Sequence, residues 1–350
     1  MKSWWKRVGA CACACGVAIA WQAAAAAMES GRMSRKDAAT LATVLVWDVE
    51  NLAVAPKDAA AYASAKDAFL REVASGEGDD LDRAEVYAAA RRYLDTLDSD
   101  GHTQLAAAQN VQAWMQSTKS TDAVRADVTR VIRVGGVNVL VLRPPAANYM
   151  DAPTMHDYAV NLNASIVNSM RGAQPCALVV DLAAQTGGSG WPPIALLGEL
   201  VTPANRARTE DRSGKRTAVV SLASYAKYRS EVGPLQPNPL LRFRDTPVAV
   251  VMTPQTASAG EMVALMLSGE PTTRTFGQPS YGVTTANIVL PLADGALVAL
   301  TVARYAMDGQ PVIRGKLQPD FPAEAGETPE QTLQRAAAWA AANSSLCQSH

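Results

Sequence analysis

Three features of this chain could together cleave an acyl bond: a hydroxyl among small residues, a histidine in a glycine turn, and paired glycines after a strand. "TASAGE", Thr256 to Glu261, follows the apolar run "TPVAVVMTPQ" and precedes "MVALMLSG". Ser258 therefore falls where a strand should hand over to a helix. Free backbone N–H groups and the helix dipole favour developing negative charge there. Small neighbours let a substrate backbone come close. A serine nucleophile with an oxyanion site needs both. Thr256 and Glu261 flank the hydroxyl and are expected to contact substrate. Ser258-x-x-Glu261 is also a capping box, and the two roles can coexist.

A serine needs a base, and the chain holds three histidines. His350 is the last residue, and His156 lies on a helical pattern as a surface residue. His102 sits in "LDSDGHTQL", a turn after a helix with Gly101 before it, and loops carry function more often than helices do. Lys316 is the lysine that follows Ser258, in the turn-like "RGKLQPD". That context does not suggest the buried pocket that would lower its pKa. The third feature is "VVDLAAQTGGSG", in which Gly187 and Gly188 expose backbone N–H groups between a strand and a helix. A plain glycine turn would look the same. No histidine, cysteine or carboxylate cluster suggests a metal, and no cofactor is expected.

These features need a scaffold. The 350 residues are 48% hydrophobic with a net charge of −1, enough for a real core, with no global attraction to nucleic acid or anionic membrane. From Met28 to about Ser120 apolar residues recur at helical spacing. Ser34 begins a capping box with Asp37, and Pro56 is read as a first helical position. The period then changes. "VTRVIRVGGVNVLVLR" alternates around Gly135-Gly136 as a hairpin would. "CALVVDL", "TPVAVVMT", "IVLPL" and "ALVALTVARY" read as strands, with helices between the first of them. "EVGPLQPNP" is a proline-rich surface loop, and Thr328, Pro329 and Gln331 begin a last helix. Strands alternating with helices indicate an α/β core.

Lys2, Lys6 and Arg7 precede an apolar stretch, and Ala25-Ala26-Ala27 fits an A-x-A cleavage site, so residues 1–27 read as a secretory signal peptide. An uncleaved segment would instead tie the protein to a membrane. Cys176 and Cys347 remain after cleavage. An oxidising compartment permits a disulfide, but the preferred reading is one buried thiol and one thiol in the tail.

The order "DSDGHTQL", "ALVVDLAAQTGGSG", "PVAVVMTPQTASAGEMVA", "FGQPSYG", "LADGALVALT", "GKLQPDF" resembles peptidase family S41, the C-terminal-processing and tricorn-core proteases. The resemblance runs from about Leu97 to Phe321. It implies a ClpP/crotonase-like core with an N-terminal helical domain, residues 28–125 including the His102 loop, followed by a protease core, 126–350. Leu105 to Val131 is too short for a PDZ domain, a layout similar to the nisin-resistance branch of the family. It also implies Ser258 as nucleophile, with the Ala259 N–H and that of Gly187 or Gly188 as oxyanion donors. The lysine of the family's Ser–Lys branch would fall at Val283, so the resemblance implies a dyad with His102. The family's "DLRxNxGG" is here "DLAAQTGG", with Ala183 and Gln185 in place of arginine and asparagine. A third residue to orient His102 is not assigned, Asp100 and Asp320 being the candidates. The implied activity is exported endopeptidase cleavage of peptides or unfolded protein. The alternatives are a weakly active or inactive scaffold binding a peptide or hydrophobic ligand, and a crotonase-type acyl-CoA enzyme, which an export signal disfavours.

Overall fold

The computed structural model describes residues 31–75, 79–108, 110–111, 128–146, 152–220 and 238–348. The expected signal peptide (residues 1–27), His350, most of "EVGPLQPNP" and the 125/126 boundary lie outside them.

The chain begins with a short strand β1 (Arg32–Ser34), helices α1 (Arg35–Leu52) and α2 (Ala59–Ala74), strand β2 (Asp80–Asp82) and helix α3 (Arg83–Leu94). Ser34 caps α1 as expected, accepting the Asp37 N–H. Pro56 does not open α2. It bridges to Leu97, and Asp58 caps that helix instead. An aspartate side chain can accept an orphan N–H of the first turn, whereas proline can only avoid having one.

A six-stranded sheet forms the centre, in the order β13-β10-β9-β6-β5-β4. Its members are β4 (Thr129–Val134), β5 (Val137–Leu142), β6 (Ala177–Asp181), β9 (Val248–Met252), β10 (Arg274–Gly277) and β13 (Phe321–Pro322). β4 and β5 form the expected hairpin, with Val134 opposite Val137. Gly135 and Gly136 both take positive φ, as a two-residue hairpin turn twisted with its strands requires. The remaining pairs are parallel. β6 and β9 are buried at every position, because helices cover both faces. On one face lie α4 (Ala152–Arg171), α5 (Trp191–Leu197) and α6 (Ala259–Ser268), and on the other α7 (Pro329–Asn343).

The second sheet is antiparallel, β11-β12-β7-β8, with β3 (Gln104–Ala106) also on β12. β7 is Ala207–Asp211, β8 Arg216–Ala218, β11 Thr285–Pro291 and β12 Leu297–Met307. α1 to α3 share a core with this sheet through Leu292, Val298 and Leu300. The helical part thus borrows strands from the chain's far end to bury its apolar stripe.

Cys176 and Cys347 form a disulfide, with Cα atoms 4.9 Å apart. This corrects the expectation of two separate thiols. The short helix α8 (Ser345–Gln348) folds the tail back to the start of β6, and Ser344 Oγ donates to the Cys176 carbonyl.

Candidate active site

Ser258 is the residue that turns β9 into α6. Its φ is +50°, a region that L-residues other than Asn or Asp seldom occupy and that stores strain. The turn is over-determined. Thr256, fully buried, donates its hydroxyl to the Leu182 carbonyl at 2.8 Å and accepts the Thr253 N–H at 3.0 Å. Glu261, also fully buried, accepts the Ser258 N–H at 2.9 Å, the Gly282 N–H at 2.9 Å, the Val283 N–H at 3.0 Å and the Ser280 hydroxyl. Thr256 and Glu261, expected to contact substrate, are thus engaged by the protein itself. Their polar atoms are spent inside the protein, where they set the serine. Burial pushes the Glu261 carboxyl up, and these four donors oppose the shift.

The capping-box limb from Glu261 is closed, and the Ser258 hydroxyl is engaged by His102. His102 Nε2 lies 3.1 Å from Ser258 Oγ. Both residues are buried, at 3% and 5% exposure. His102 follows Asp100 and Gly101, both at positive φ, and its N–H closes a turn on the Ser99 carbonyl. Its carbonyl accepts from Asn287 Nδ2 at 2.8 Å, and Thr301 donates to Asn287 Oδ1 at 2.8 Å. The second sheet therefore aims the imidazole. Thr285 Oγ1 is 2.6 Å from His102 Nδ1.

Thr285 is the partner of the His102 ring that sequence reasoning missed. The signal available was only its place as the first residue of β11. Asp100 instead pairs with Arg304 at 2.9 Å, and Asp320 binds the Thr275 N–H and hydroxyl at 2.8 and 3.0 Å. Burial lowers the His102 pKa to about 4, against a smaller raising effect of Asp100. The imidazole is thus neutral at pH 7, as a general base must be.

The loop after β6 meets the serine turn through its backbone. The Ala257 N–H donates to the Gln185 carbonyl at 3.0 Å. A Cβ on Gly260 would stand 2.6 Å from that same carbonyl oxygen, so only glycine lets the two segments approach. Gln185 is buried and braces the loop, donating to the Pro144 and Pro145 carbonyls and accepting the Gly187 N–H at 3.1 Å. The Gly187 N–H is thereby committed. The Ala259 N–H, at the first turn of α6, makes no hydrogen bond among the described residues, and Gly188 follows Gly187 at positive φ. Val283 is buried at the family's lysine position, and Lys316 lies beside Gly282 with no hydrogen bond to Ser258 or His102 among the described residues. His156 is on α4. No group of three or more metal-ligating side chains occurs among the described residues.

A parallel-centred α/β core with a histidine-paired serine at a strand-to-helix turn has the design of a serine-type hydrolase. A model of peptidase family S41 matches residues 148–323, half of the chain, and the chain belongs to that family. Ser258 falls inside the match and His102 outside it. The chain is 28% identical over 161 residues to carboxyl-terminal-processing peptidase 2, chloroplastic, of Arabidopsis thaliana, covering 46% of this chain and 28% of that protein. It is 28% identical over 167 residues to the nisin-resistance protein of Lactococcus lactis subsp. lactis, covering 47% of this chain and 50% of that protein. The chain thus matches half or less of the length of these curated relatives. Among solved structures, a lipoprotein from Streptococcus agalactiae superposes with a TM-score of 0.66 at 18% identity, over 87% of this chain and 96% of that one. The photosystem II D1 C-terminal processing protease superposes at 0.55 and 14%, over 89% and 98%. These two share the fold.

Proposed function

We propose that this chain is an exported serine endopeptidase that uses a Ser258–His102 dyad on peptides or unfolded protein. The observation that carries the reading is the 3.1 Å approach of His102 Nε2 to the hydroxyl of a serine in a strained turn. With Nδ1 protonated and donating to Thr285 Oγ1, Nε2 holds a lone pair for the Ser258 proton. As Oγ bonds to the substrate carbonyl carbon, that proton moves to Nε2 and the carbonyl oxygen becomes an oxyanion. The Gly188 and Ala259 N–H groups are the donors for it, Gly187 being engaged elsewhere. His102 then protonates the leaving amine, the acyl-enzyme forms, and water attacks it with His102 again as base.

The export part of the proposal rests on residues 1–27. It is supported by the disulfide, a crosslink typical of oxidising compartments, and by likeness to a lipoprotein and a nisin-resistance protein. No helix among the described residues is long and apolar enough to cross a membrane.

A fluorophosphonate probe tests the chemistry. Purified protein should form one covalent adduct, mapping to Ser258, and should digest unfolded casein. Both should be lost in Ser258→Ala and in His102→Ala and kept in Lys316→Ala. A His102→Ala protein that still cleaves, beside a folded but inactive Lys316→Ala, would overturn the dyad.

A further inference from the structure

The turn that carries His102 is tied down by an arginine from a distant strand. Arg304, on β12, is 5% exposed. Its Nη2 donates to Asp98 Oδ1 at 2.6 Å and also to the Asp98 carbonyl. Its Nη1 donates to Asp100 Oδ2 at 2.9 Å. Arg314 pairs with the other Asp98 oxygen from outside. Burial would push the Asp98 carboxyl up, but these two guanidiniums overcome it and hold it below the usual carboxylate range. One planar guanidinium thus grips two carboxylates and a carbonyl, a geometry that lysine cannot reproduce.

The gripped segment turns through two successive residues at positive φ, Asp100 at +52° and Gly101 at +75°, and Arg304 ties down the aspartates on it. The turn also places a negative charge next to the base, since the Asp100 carboxylate acts on the His102 imidazole. The surrounding groups are Asp98 and Asp100 on the turn, Arg304 on β12, Arg314 in the segment after it, Thr285 on β11, and Ser258 and Glu261 at the start of α6. Glu261 is already saturated by four donors. Asp100 is therefore the charge to be managed, and Arg304 is the buried cation on it.

We propose that Arg304 is a positioning residue for the base: it clamps the Asp98–His102 turn and neutralises the carboxylate beside the imidazole. Arg304 bonds to Asp98, Asp100 and the Ile313 carbonyl rather than to Ser258. It acts through His102, so the proposal rests on the reading of His102 as general base, and the test must separate the two. Without Arg304, the Asp100 charge favours the imidazolium, and the base is protonated at a higher pH.

The test follows His102 in two ways. The ring protons of the three histidines are titrated by NMR, with His102 assigned by its loss in His102→Gln. The pH dependence of fluorophosphonate labelling at Ser258 is recorded alongside. In Arg304→Gln, His102 should titrate at higher pH than in wild type, and the acid limb of labelling should move with it. Adding Asp100→Asn should bring both back. Asp100→Asn alone should move the titration down, and it carries the test if Arg304→Gln does not fold. Arg304→Lys keeps the charge and loses the fork, so it should titrate near wild type but label about tenfold more slowly or worse. If His102 titrates at one pH in wild type, Arg304→Gln and Asp100→Asn, the charge role is overturned. Wild-type labelling in Arg304→Lys overturns the clamp. If His102 responds as expected but wild-type Ser258 takes no probe, the peptidase reading fails and the clamp stands.

Discussion

Thr285 Oγ1 lies 2.6 Å from His102 Nδ1, so the ring of the proposed base is held by a hydroxyl from the second sheet. A hydroxyl can fix the ring and its tautomer, but it does not lend the imidazolium a full counter-charge. Thr285→Val keeps the shape and removes the acceptor. Labelling at Ser258 should fall about tenfold to a hundredfold, by analogy with the loss of geometry at other catalytic pairs, with the fold intact. Thr285→Ser should recover most of the rate. A Thr285→Val protein that labels at the wild-type rate would remove Thr285 from the site.

Ser258 separates stability from chemistry. Its φ of +50° favours glycine, and strain of this kind costs about 1–3 kcal/mol. Ser258→Gly relieves it and gives up one hydroxyl hydrogen bond, so the denaturant midpoint should rise while turnover disappears. Ser258→Ala keeps the strained backbone. It should unfold near the wild-type midpoint, within the ~1 kcal/mol of one lost hydrogen bond, and also show no turnover. Comparing the three midpoints in one denaturant series checks the order.

Glu261 is surrounded by donors, namely three backbone N–H groups and the Ser280 hydroxyl. Glu261→Gln replaces one acceptor oxygen with an NH₂ that must face donors. Despite its matching shape, this variant should lose at least about 2 kcal/mol, the cost of buried donors left unpaired. It should also label slowly, because the Ser258 turn and the Ser280–Val283 loop lose their common anchor. A wild-type midpoint for Glu261→Gln would show that the carboxyl is held in its protonated form.

His102 links stability to pH. Burial holds its folded pKa near 4 against an ordinary 6.5, so the unfolded chain binds the proton first. Its contribution is complete above about pH 6.5 and lost as the pH falls toward 4. At about 1.4 kcal/mol per unit, this is on the order of 3 kcal/mol. Asp48, pushed up to about 6 by burial, works in the opposite sense, losing stability as the pH rises. The measurement is therefore the difference between wild type and His102→Asn. Wild type should lose more stability than the variant between pH 6.5 and 4. Labelling should persist down to near pH 4 while the protein stays folded.

The disulfide joins residues 171 apart in sequence. Breaking a native crosslink typically costs about 2–4 kcal/mol. Cys347→Ala, or a reducing agent, should lower the denaturant midpoint by that order. Labelling of Ser258 should be unchanged, because the crosslink holds the tail to the start of β6 and the dyad sits beyond the strand's other end.

Some of this was local and therefore legible in the sequence. A two-glycine hairpin, the Ser34 and Thr328 caps and the buried strands "CALVVDL" and "TPVAVVMT" follow from backbone freedom, orphan amides and hydrophobic pattern. The small residues around Ser258 and the turn glycine before His102 marked those two as chemistry. Tertiary structure decided what depends on partners far apart in the chain. His102 and Ser258 meet across 156 residues, and neither marks the other. Thr285 and Arg304 look like ordinary strand residues until β11 and β12 bring them to the His102 turn. Thr256 and Glu261 read as substrate contacts by adjacency, and only the fold shows them buried with their polar atoms bonded inside the protein. Cys176 and Cys347 joined because α8 turns back onto β6. Sequence carries the torsions and the pattern, whereas hydrogen-bond partners and charge pairs exist only once distant segments are packed together.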